Sequence, residues 1–255
     1  MNTIVEAKRV KKVYGAKGQT YTALREFDLT VAQGEFVGIM GPSGAGKTTL
    51  LQLLATIDRP TSGHIVIDGV DVSAMKEAQL SDFRRDKLGF LFQDYHLLDM
   101  LTVKENIMLP LALARRQADE LERRVDQIAD TFGLRPFLNH YPAQLSGGQK
   151  QRTAAARAIV ARPSLVLADE PTGALDSKSA TDLLESLKEL HEAERTTIVM
   201  VTHDAFAASY CERIVFIKDG EAFAELVKGR MARQPFFRKV LDMLSVLGGG
   251  AGDIV

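Results

Sequence analysis

The chain is predicted to fold as an α/β protein, on three observations. A glycine-rich loop at 41–48 lies between a compact apolar strand, Phe36-Val37-Gly38-Ile39-Met40, and a helix whose Leu50, Leu51, Leu53 and Leu54 give a wide apolar face. Leu165 to Ala168 and Thr197 to Val201 are apolar runs suited to parallel strands buried on both faces. Between that loop and those strands, residues from about 103 to 162 become mostly helical. Together these describe a parallel-sheet core built around a phosphate loop, with a helical region inserted into it.

The remaining elements follow in chain order. Residues 4–37 alternate apolar and polar with glycine and charge punctuation, and read as several short strands. Pro60 and Gly63 close the loop-and-helix unit. His64 to Asp68 forms a strand that turns at Asp68-Gly69. Residues 73–86 are helix-like, and Leu88 to Phe92 is a buried strand ending at Gln93. A helix around 177–192 separates the two late strands. Pro235 to Leu247 places Phe236, Phe237, Val240, Leu241, Leu244 and Leu247 on one helical face. Gly248-Gly249-Gly250 and Gly252 then end that helix in a flexible tail. The expected organisation is a nucleotide-binding domain at 1–230, with its helical subdomain at about 95–162, and an amphipathic helix and tail at 231–255.

Composition narrows the class. The chain has 255 residues, 45% of them hydrophobic, enough for a substantial core. A formal net charge of −1 favours neither nucleic acid nor anionic lipid. Arg115, Arg116, Arg123 and Arg124 are matched by Asp119, Glu120, Glu122 and Asp126, which reads as a solvated helix face. The single cysteine, Cys211, forms no internal disulfide and fits a reducing compartment. The first residues carry no basic stretch followed by an apolar run, so no secretory signal is expected. The apolar run Ile107 to Ala114, interrupted by Pro110, is far short of the roughly 20 residues needed to span a membrane.

Two glycine turns carry the chemistry. Gly41-Pro42-Ser43-Gly44-Ala45-Gly46-Lys47-Thr48 fits G-x-x-x-x-G-K-[ST], with a strand before it and a helix after. Its glycines let backbone N–H groups converge on phosphate oxygens, and the helix N-terminus adds a favourable dipole. Lys47 suits the β- and γ-phosphates, and Thr48 suits Mg²⁺. Leu165-Val166-Leu167-Ala168-Asp169-Glu170 is an apolar strand ending in two acids, at the edge where α/β sheets bind ligands. Asp169 suits a Mg²⁺ role, direct or through water, and Glu170 suits orienting and deprotonating an attacking water. His203, at the end of another strand, could hydrogen-bond the γ-phosphate. Gln93 also ends a strand, where its amide could touch Mg²⁺ or the water; the bland alternative is an ordinary polar strand end. His64, His96, His140 and His191 read as structural or solvated. The second turn is Ser146-Gly147-Gly148, before a helix-like stretch rich in alanine and arginine from Gln149 to Ala161. Ser146 suits an N-cap, and the free N–H groups there make a second anion site. A chain that already has a complete phosphate cradle has most use for a second one on another copy's nucleotide.

These motifs resemble the ATP-binding cassette (ABC) family of transporter ATPases over about residues 3–225. Gly41 to Thr48 is similar to the Walker A motif, Leu165 to Glu170 to Walker B with its catalytic glutamate, and Leu145-Ser146-Gly147-Gly148-Gln149 to the family signature. Gln93 resembles the Q-loop glutamine, Asp176 the D-loop aspartate and His203 the H-loop histidine. Tyr14 stands where the family places an aromatic residue that stacks on adenine. The resemblance implies a P-loop NTPase core with an N-terminal antiparallel β subdomain and an inserted α-helical signature subdomain. It implies ATP and Mg²⁺ as ligands. Glu170, His203, Lys47 and Gln93 would be catalytic. Tyr14, Gly41, Ser43, Gly44, Gly46, Lys47, Thr48, Thr49, Ser146, Gly147, Gly148, Gln149 and Asp176 would contact nucleotide, and Thr48, Gln93 and Asp169 would serve the metal. It further implies a head-to-tail dimer clamped by two ATP molecules, and a multi-spanning permease contacted near Asp94 to Glu105. The chain would then lie peripherally at the cytoplasmic face of the membrane.

Within that family, Phe92 to Asp99, Thr102 to Ile107, Ala207 to Cys211 and the tail resemble the bacitracin-resistance type of Gram-positive bacteria, which often associates with a sensor histidine kinase. The alternatives are a lipoprotein-release or macrolide-efflux ATPase. A soluble ATPase acting on DNA or ribosomes is disfavoured. The span from Lys47 to Glu170 leaves no room for a long coiled coil, there is one cassette, and the charge is balanced. A passive nucleotide-binding module is disfavoured by the presence of Glu170 and His203. The 235–247 helix has two readings: packing on its own domain, or docking to the permease or kinase.

Overall fold

The structure, a computed structural model, describes residues 2–16, 18–114 and 118–248. Arg115 and Arg116 of the charge-balanced stretch, and the glycine-rich residues after 248, lie outside the described residues. The elements are β1 (Thr3–Ala16), β2 (Gln19–Ala32), β3 (Phe36–Met40), α1 (Lys47–Leu54), β4 (Ser62–Ile67), β5 (Val70–Asp71), α2 (Glu77–Lys87), β6 (Leu88–Leu91), α3 (Val103–Leu113), α4 (Ala118–Thr131), α5 (Gly147–Ile159), β7 (Leu165–Asp169), α6 (Ser177–Glu194), β8 (Ile198–Val201), α7 (Ala205–Ala208), β9 (Arg213–Lys218), β10 (Glu221–Val227) and α8 (Arg233–Gly248). The chain divides into two compact units, one of Met1–Met75 with Val199–Val255 and one of Lys76–Ile198.

The first unit holds an antiparallel sheet in the order β2-β1-β4-β5. Its N-terminal half differs from the expected several short strands. β1 and β2 are two long strands of 14 residues each. What reads as punctuation in the sequence is β-bulging: Arg9 and Glu26 take positive φ, and the register shifts between Ala7 and Val10. Asp28 Oδ1 accepts from the Arg9 N–H at 2.6 Å, so the bulged backbone is not left unpaired. The same unit contains β10-β9-β3-β8, with β9 parallel to β3, and the Thr202 N–H after β8 donating to Ile39 O at 3.1 Å. Every residue of β3 is buried, as is the apolar face of α1. Each of those α1 leucines contributes about 1.5–3 kcal/mol on burial.

α8 begins at Arg233 and runs through Gly248. It buries Phe236, Val240 and Leu247, while Leu241 stays 45% exposed and Phe237 and Leu244 are half-buried. The guanidinium of Arg233 stacks on Phe206 at 5.1 Å and on Tyr210 at 4.5 Å, fixing the helix on the α7 segment. Packing on its own unit therefore accounts for half of the predicted apolar face.

In the second unit β6 and β7 pair in parallel, from Leu88 opposite Leu165 to Leu91 opposite Ala168. Gly89 lets β6 lie directly on α5: a β-carbon there would stand 2.1 Å from Ala158 O. Ala154, Ala155, Ala156 and Ala158 give α5 a thin buried face that permits this approach. α3 keeps Pro110 inside the helix and starts from a capping box, Thr102 with Glu105. α4 buries Val125, Ile128 and Ala129, and Arg124 reaches across to Glu194 at the end of α6. No helix among the described residues is long and apolar enough to cross a membrane.

Candidate active site

In the first unit the loop at 41–48 leaves the end of β3 and enters α1. Gly46 is the N-cap of α1 at φ 105, and a β-carbon there would lie 2.5 Å from Ala23 O, so both conformation and space demand glycine. Around Gly44 the space is open, with no described residue within 4 Å of where a β-carbon would stand. The first turn of α1 carries no side-chain cap and no acid. Its first N–H groups and positive dipole end thus have no side-chain acceptor among the described residues, which suits an anion. Lys47 Nζ donates to Gly41 O at 2.8 Å and Pro42 O at 2.9 Å, so the ammonium lies along the loop. Tyr21 braces the loop from β2, its hydroxyl donating to Gly44 O at 2.9 Å. Ser43 and Thr48 are exposed, and Thr49 is half-buried.

Tyr14 meets this loop through Thr49. Burial raises the Tyr14 phenol above its ordinary value, its hydrogen bond to Asp58 adds to that, and a hydrogen bond with Thr49 opposes it. The hydroxyl donates to Asp58 Oδ2 at 2.8 Å, and Lys12 Nζ lies 4.7 Å from the ring centre. One face of an exposed ring is thus covered by a cation. Asp58 sits below its usual range because the hydrogen bonds from Lys12 and Tyr14 outweigh its partial burial. His203 follows β8 and is exposed. Its neighbour Asp204 caps α7, accepting from the Phe206 N–H at 2.8 Å, so the turn carrying His203 is held from behind.

In the second unit the other candidates gather around α5. Ser146 and Gln149 form a reciprocal cap. The Gln149 N–H donates to Ser146 Oγ at 3.3 Å, and the Ser146 N–H donates to Gln149 Oε1 at 2.8 Å. Gly148 packs against Ser179 of α6. Ser179 Oγ donates to Asp176 Oδ2 at 2.7 Å, and the other Asp176 oxygen caps α6. The signature turn and Asp176 are therefore joined through one serine. The Ser179 N–H and hydroxyl, with the Lys178 N–H, hold the Asp176 carboxyl below its ordinary value. Asp169 and Glu170 are half-buried at the end of β7. Glu170 takes φ 45, in the left-handed region where a non-glycine residue is strained, and its carbonyl accepts from the Gly173 N–H at 3.0 Å. A β-carbon on Gly173 would lie 3.2 Å from Gln93 Nε2, so Gln93 and the Glu170 turn are neighbours.

The donors Thr48, Asp169 and Gln93 are hydroxyl, carboxylate and amide, all hard oxygen ligands of the kind Mg²⁺ takes beside phosphate and water. The other histidines have structural partners: His191 Nδ1 lies 2.9 Å from Thr196 O, His96 packs on Phe92, His140 on Phe137, and His64 lies near Asp71. Tyr21, Gln151, Arg157 and Ser179 are absent from the sequence-derived set. Gln151 lies two residues after the signature, yet a glutamine in a helix rich in Lys and Arg reads as solvated; only burial distinguishes it.

A family model described as ABC transporter matches residues 24–173. The chain is 54% identical to the ABC transporter ATP-binding protein YvcR of Bacillus subtilis, over 98% of this chain and 96% of that one. It is 50% identical to the bacitracin export ATP-binding protein BceA of Halalkalibacterium halodurans, over 98% of this chain and 99% of BceA. Among solved structures it is similar to the dimeric ABC transporter cassette MJ0796 of Methanocaldococcus jannaschii, 42% identical, with a TM-score of 0.81 over 88% of this chain and 98% of that one. The same cassette in a dimeric post-hydrolysis state bound to ADP and Pi has a TM-score of 0.80 over the same shares.

Proposed function

The chain belongs to the ABC transporter ATPases, and from that premise we propose that it powers a permease removing or exporting peptide antibiotics of the bacitracin kind. That it is an ATP-binding subunit that hydrolyses ATP follows from the family and its matched residues. The finer assignment is carried by one observation: half of its residues are identical to a bacitracin export ATPase along 99% of that protein. In this reading the loop at 41–48 cradles the phosphates, with Gly41, Ser43, Gly44 and Gly46 supplying backbone donors, Lys47 the charge, and Thr48 and Thr49 hydroxyls. Tyr14 offers its uncovered face to adenine. Asp169, Thr48 and Gln93 would hold Mg²⁺, which neutralises phosphate charge when bound. Glu170 takes the proton of the attacking water, and His203 holds the γ-phosphate. Ser146, Gly147, Gly148, Gln149 and Asp176 face the nucleotide of a second copy.

The partners proposed are that second copy, a multi-spanning permease that places the chain at the cytoplasmic membrane face, and, through the permease, a sensor histidine kinase; nucleic acid is not among them. The dimeric MJ0796 structures support the pairing. Two measurements test the proposal. Glu170→Gln is expected to keep ATP binding, slow turnover by roughly 10²-fold or more, and elute as a dimer with Mg-ATP on size exclusion. A strictly monomeric Glu170→Gln with retained affinity overturns the dimer. In the organism carrying the gene, Glu170→Gln should raise sensitivity to bacitracin-like peptides and leave macrolide sensitivity unchanged; the reverse pattern overturns the peptide assignment.

A further inference from the structure

Gln151 is a polar side chain with no solvent exposure, one turn into the helix that Ser146 caps. Its Nε2 donates to two carbonyls from separate segments, Phe92 O at 3.1 Å and Pro171 O at 2.8 Å. Both partners are acceptors, so the orientation of the amide is determined by them. Phe92 precedes Gln93, and Pro171 follows Glu170. The β6–β7 ladder ends with Leu91 opposite Ala168. Just past that last pair the two backbones leave the ladder, and one amide from α5 holds them both. The same helix grips the first of them again: Arg157 donates to Tyr95 O at 2.9 Å and His96 O at 2.6 Å, where both residues take positive φ.

The remaining atom of that amide is unusual. Gln151 Oε1 is buried with no hydrogen-bond partner among the described residues, which destabilises the fold. A methionine would fill the same volume without the orphaned oxygen, so packing alone does not explain an amide here. The two carbonyl bonds do.

We propose that Gln151 is a positioning residue that ties Gln93 and Glu170 to the signature turn, so that any displacement of α5 resets both together. This rests on the roles proposed above for Gln93 and Glu170. The signature turn, Gln151 and Arg157 lie on one continuous helix, and a helix moves as a rigid body far more readily than it bends. Arrival of a partner's nucleotide at Ser146 to Gln149 would then register at the water-activating glutamate through a single side chain.

The test uses the full chain and steady-state hydrolysis of Mg-ATP, with thermal melting measured in parallel. Gln151→Met is expected to lower kcat at least ~10-fold, with KM within about twofold and only a modest fall in melting temperature, since the orphaned oxygen is removed but two carbonyls lose their donor. Gln151→Glu, which sets a carboxylate against the two carbonyls, should lower kcat further. Turnover by Gln151→Met at the level of the unsubstituted chain overturns the proposal. Glu170→Gln measured alongside separates the two readings: if it too hydrolyses ATP normally, the active-site assignment has failed rather than the coupling. Should Gln151→Met not fold, hydrogen exchange of the Glu170→Gln chain decides. Segments 92–94, 147–151 and 170–173 must gain protection at one common ATP concentration, and protection at separate concentrations overturns the coupling.

Discussion

Gly148 and Ser179 touch where the first turns of α5 and α6 meet: a β-carbon on Gly148 would stand 2.5 Å from Ser179 Oγ and 2.7 Å from its Cβ. Ser179 is also hydrogen-bonded to Asp176, so a side chain added at Gly148 that displaces Ser179 disturbs that carboxylate. Gly148→Ala is expected to lower ATP turnover at least ~10-fold while single-chain ATP affinity stays within about threefold, since the phosphate loop belongs to the other unit. Ser179→Gly removes the obstructing atoms. The double variant should therefore recover much of the lost turnover, and strict additivity of the two losses in a double-mutant cycle contradicts the contact.

Arg124 and Glu194 form a two-pronged pair, at 2.5 and 2.8 Å, between α4 and the end of α6. Burial alone would raise the Glu194 carboxyl; hydrogen bonds and charge from Arg124, with Arg162 beside it, reverse this and hold it below its ordinary value. Arg124 is only 8% exposed and also donates to Val160 O at 3.1 Å. A lowered folded-state value means the stabilisation is present above the ordinary carboxylate range and disappears as pH falls through the folded value. Glu194→Gln should thus cost about 3 kcal/mol at pH 7, by leaving a buried guanidinium without its counter-charge, and should flatten the acid limb of the stability–pH curve. Urea melts at pH 7 and at pH 3 check this; an equal loss at both pH values rules out the ion pair as the cause.

The α8 helix allows a comparison between two residues of one predicted face. Phe236 has no exposure, whereas Leu241 is 45% exposed. Phe236→Ala should destabilise the chain by about 3–5 kcal/mol and Leu241→Ala by no more than about 0.5 kcal/mol. Arg233→Ala, which removes the stack on Phe206 and Tyr210, should fall between them, near 1 kcal/mol. Equal small effects at Phe236 and Leu241 in denaturant melts would place α8 away from its unit. Deleting residues 232–255 consequently removes core as well as surface. A loss of permease co-purification after that deletion is interpretable only if Leu241→Ala, with the fold intact, loses it too.

The difference between Phe236 and Leu241 also shows what was legible in the sequence. Periodicity places both on one face, but which edge of that face meets protein depends on where α7 lies, a long-range fact. The loop at 41–48, between strand and helix, was legible because Gly46, Lys47 and Thr48 form a local pattern whose strand and helix neighbours are also local. The Ser146 cap was legible for the same reason. β1 and β2 were misjudged because a bulge residue such as Arg9 has no sequence signature unless it is glycine or asparagine. Gln151 and Ser179 were missed because their partners, Phe92, Pro171 and Gly148, lie far along the chain.

Cys211 gives the last prediction, and it concerns the alkaline side. The thiol is fully buried, with its sulfur 3.0 Å from where a β-carbon on Gly38 of β3 would stand. Burial pushes its pKa well above the ordinary thiol range. A thiol held neutral is a poor nucleophile, so iodoacetamide at pH 8 should modify the folded chain at least ~100-fold more slowly than the chain in denaturant. The same shift affects stability. Above about pH 8.5 the unfolded thiol ionises while the folded one does not. Stability is therefore complete below that pH and falls as pH rises, by about 1.4 kcal/mol for each unit. Cys211→Ala should be less stable at pH 7, because it removes a packed side chain, and should lose less than the unsubstituted chain between pH 8.5 and 10. Parallel stability–pH curves for the two chains over that interval would show that ionisation of Cys211 is not what limits the fold at high pH.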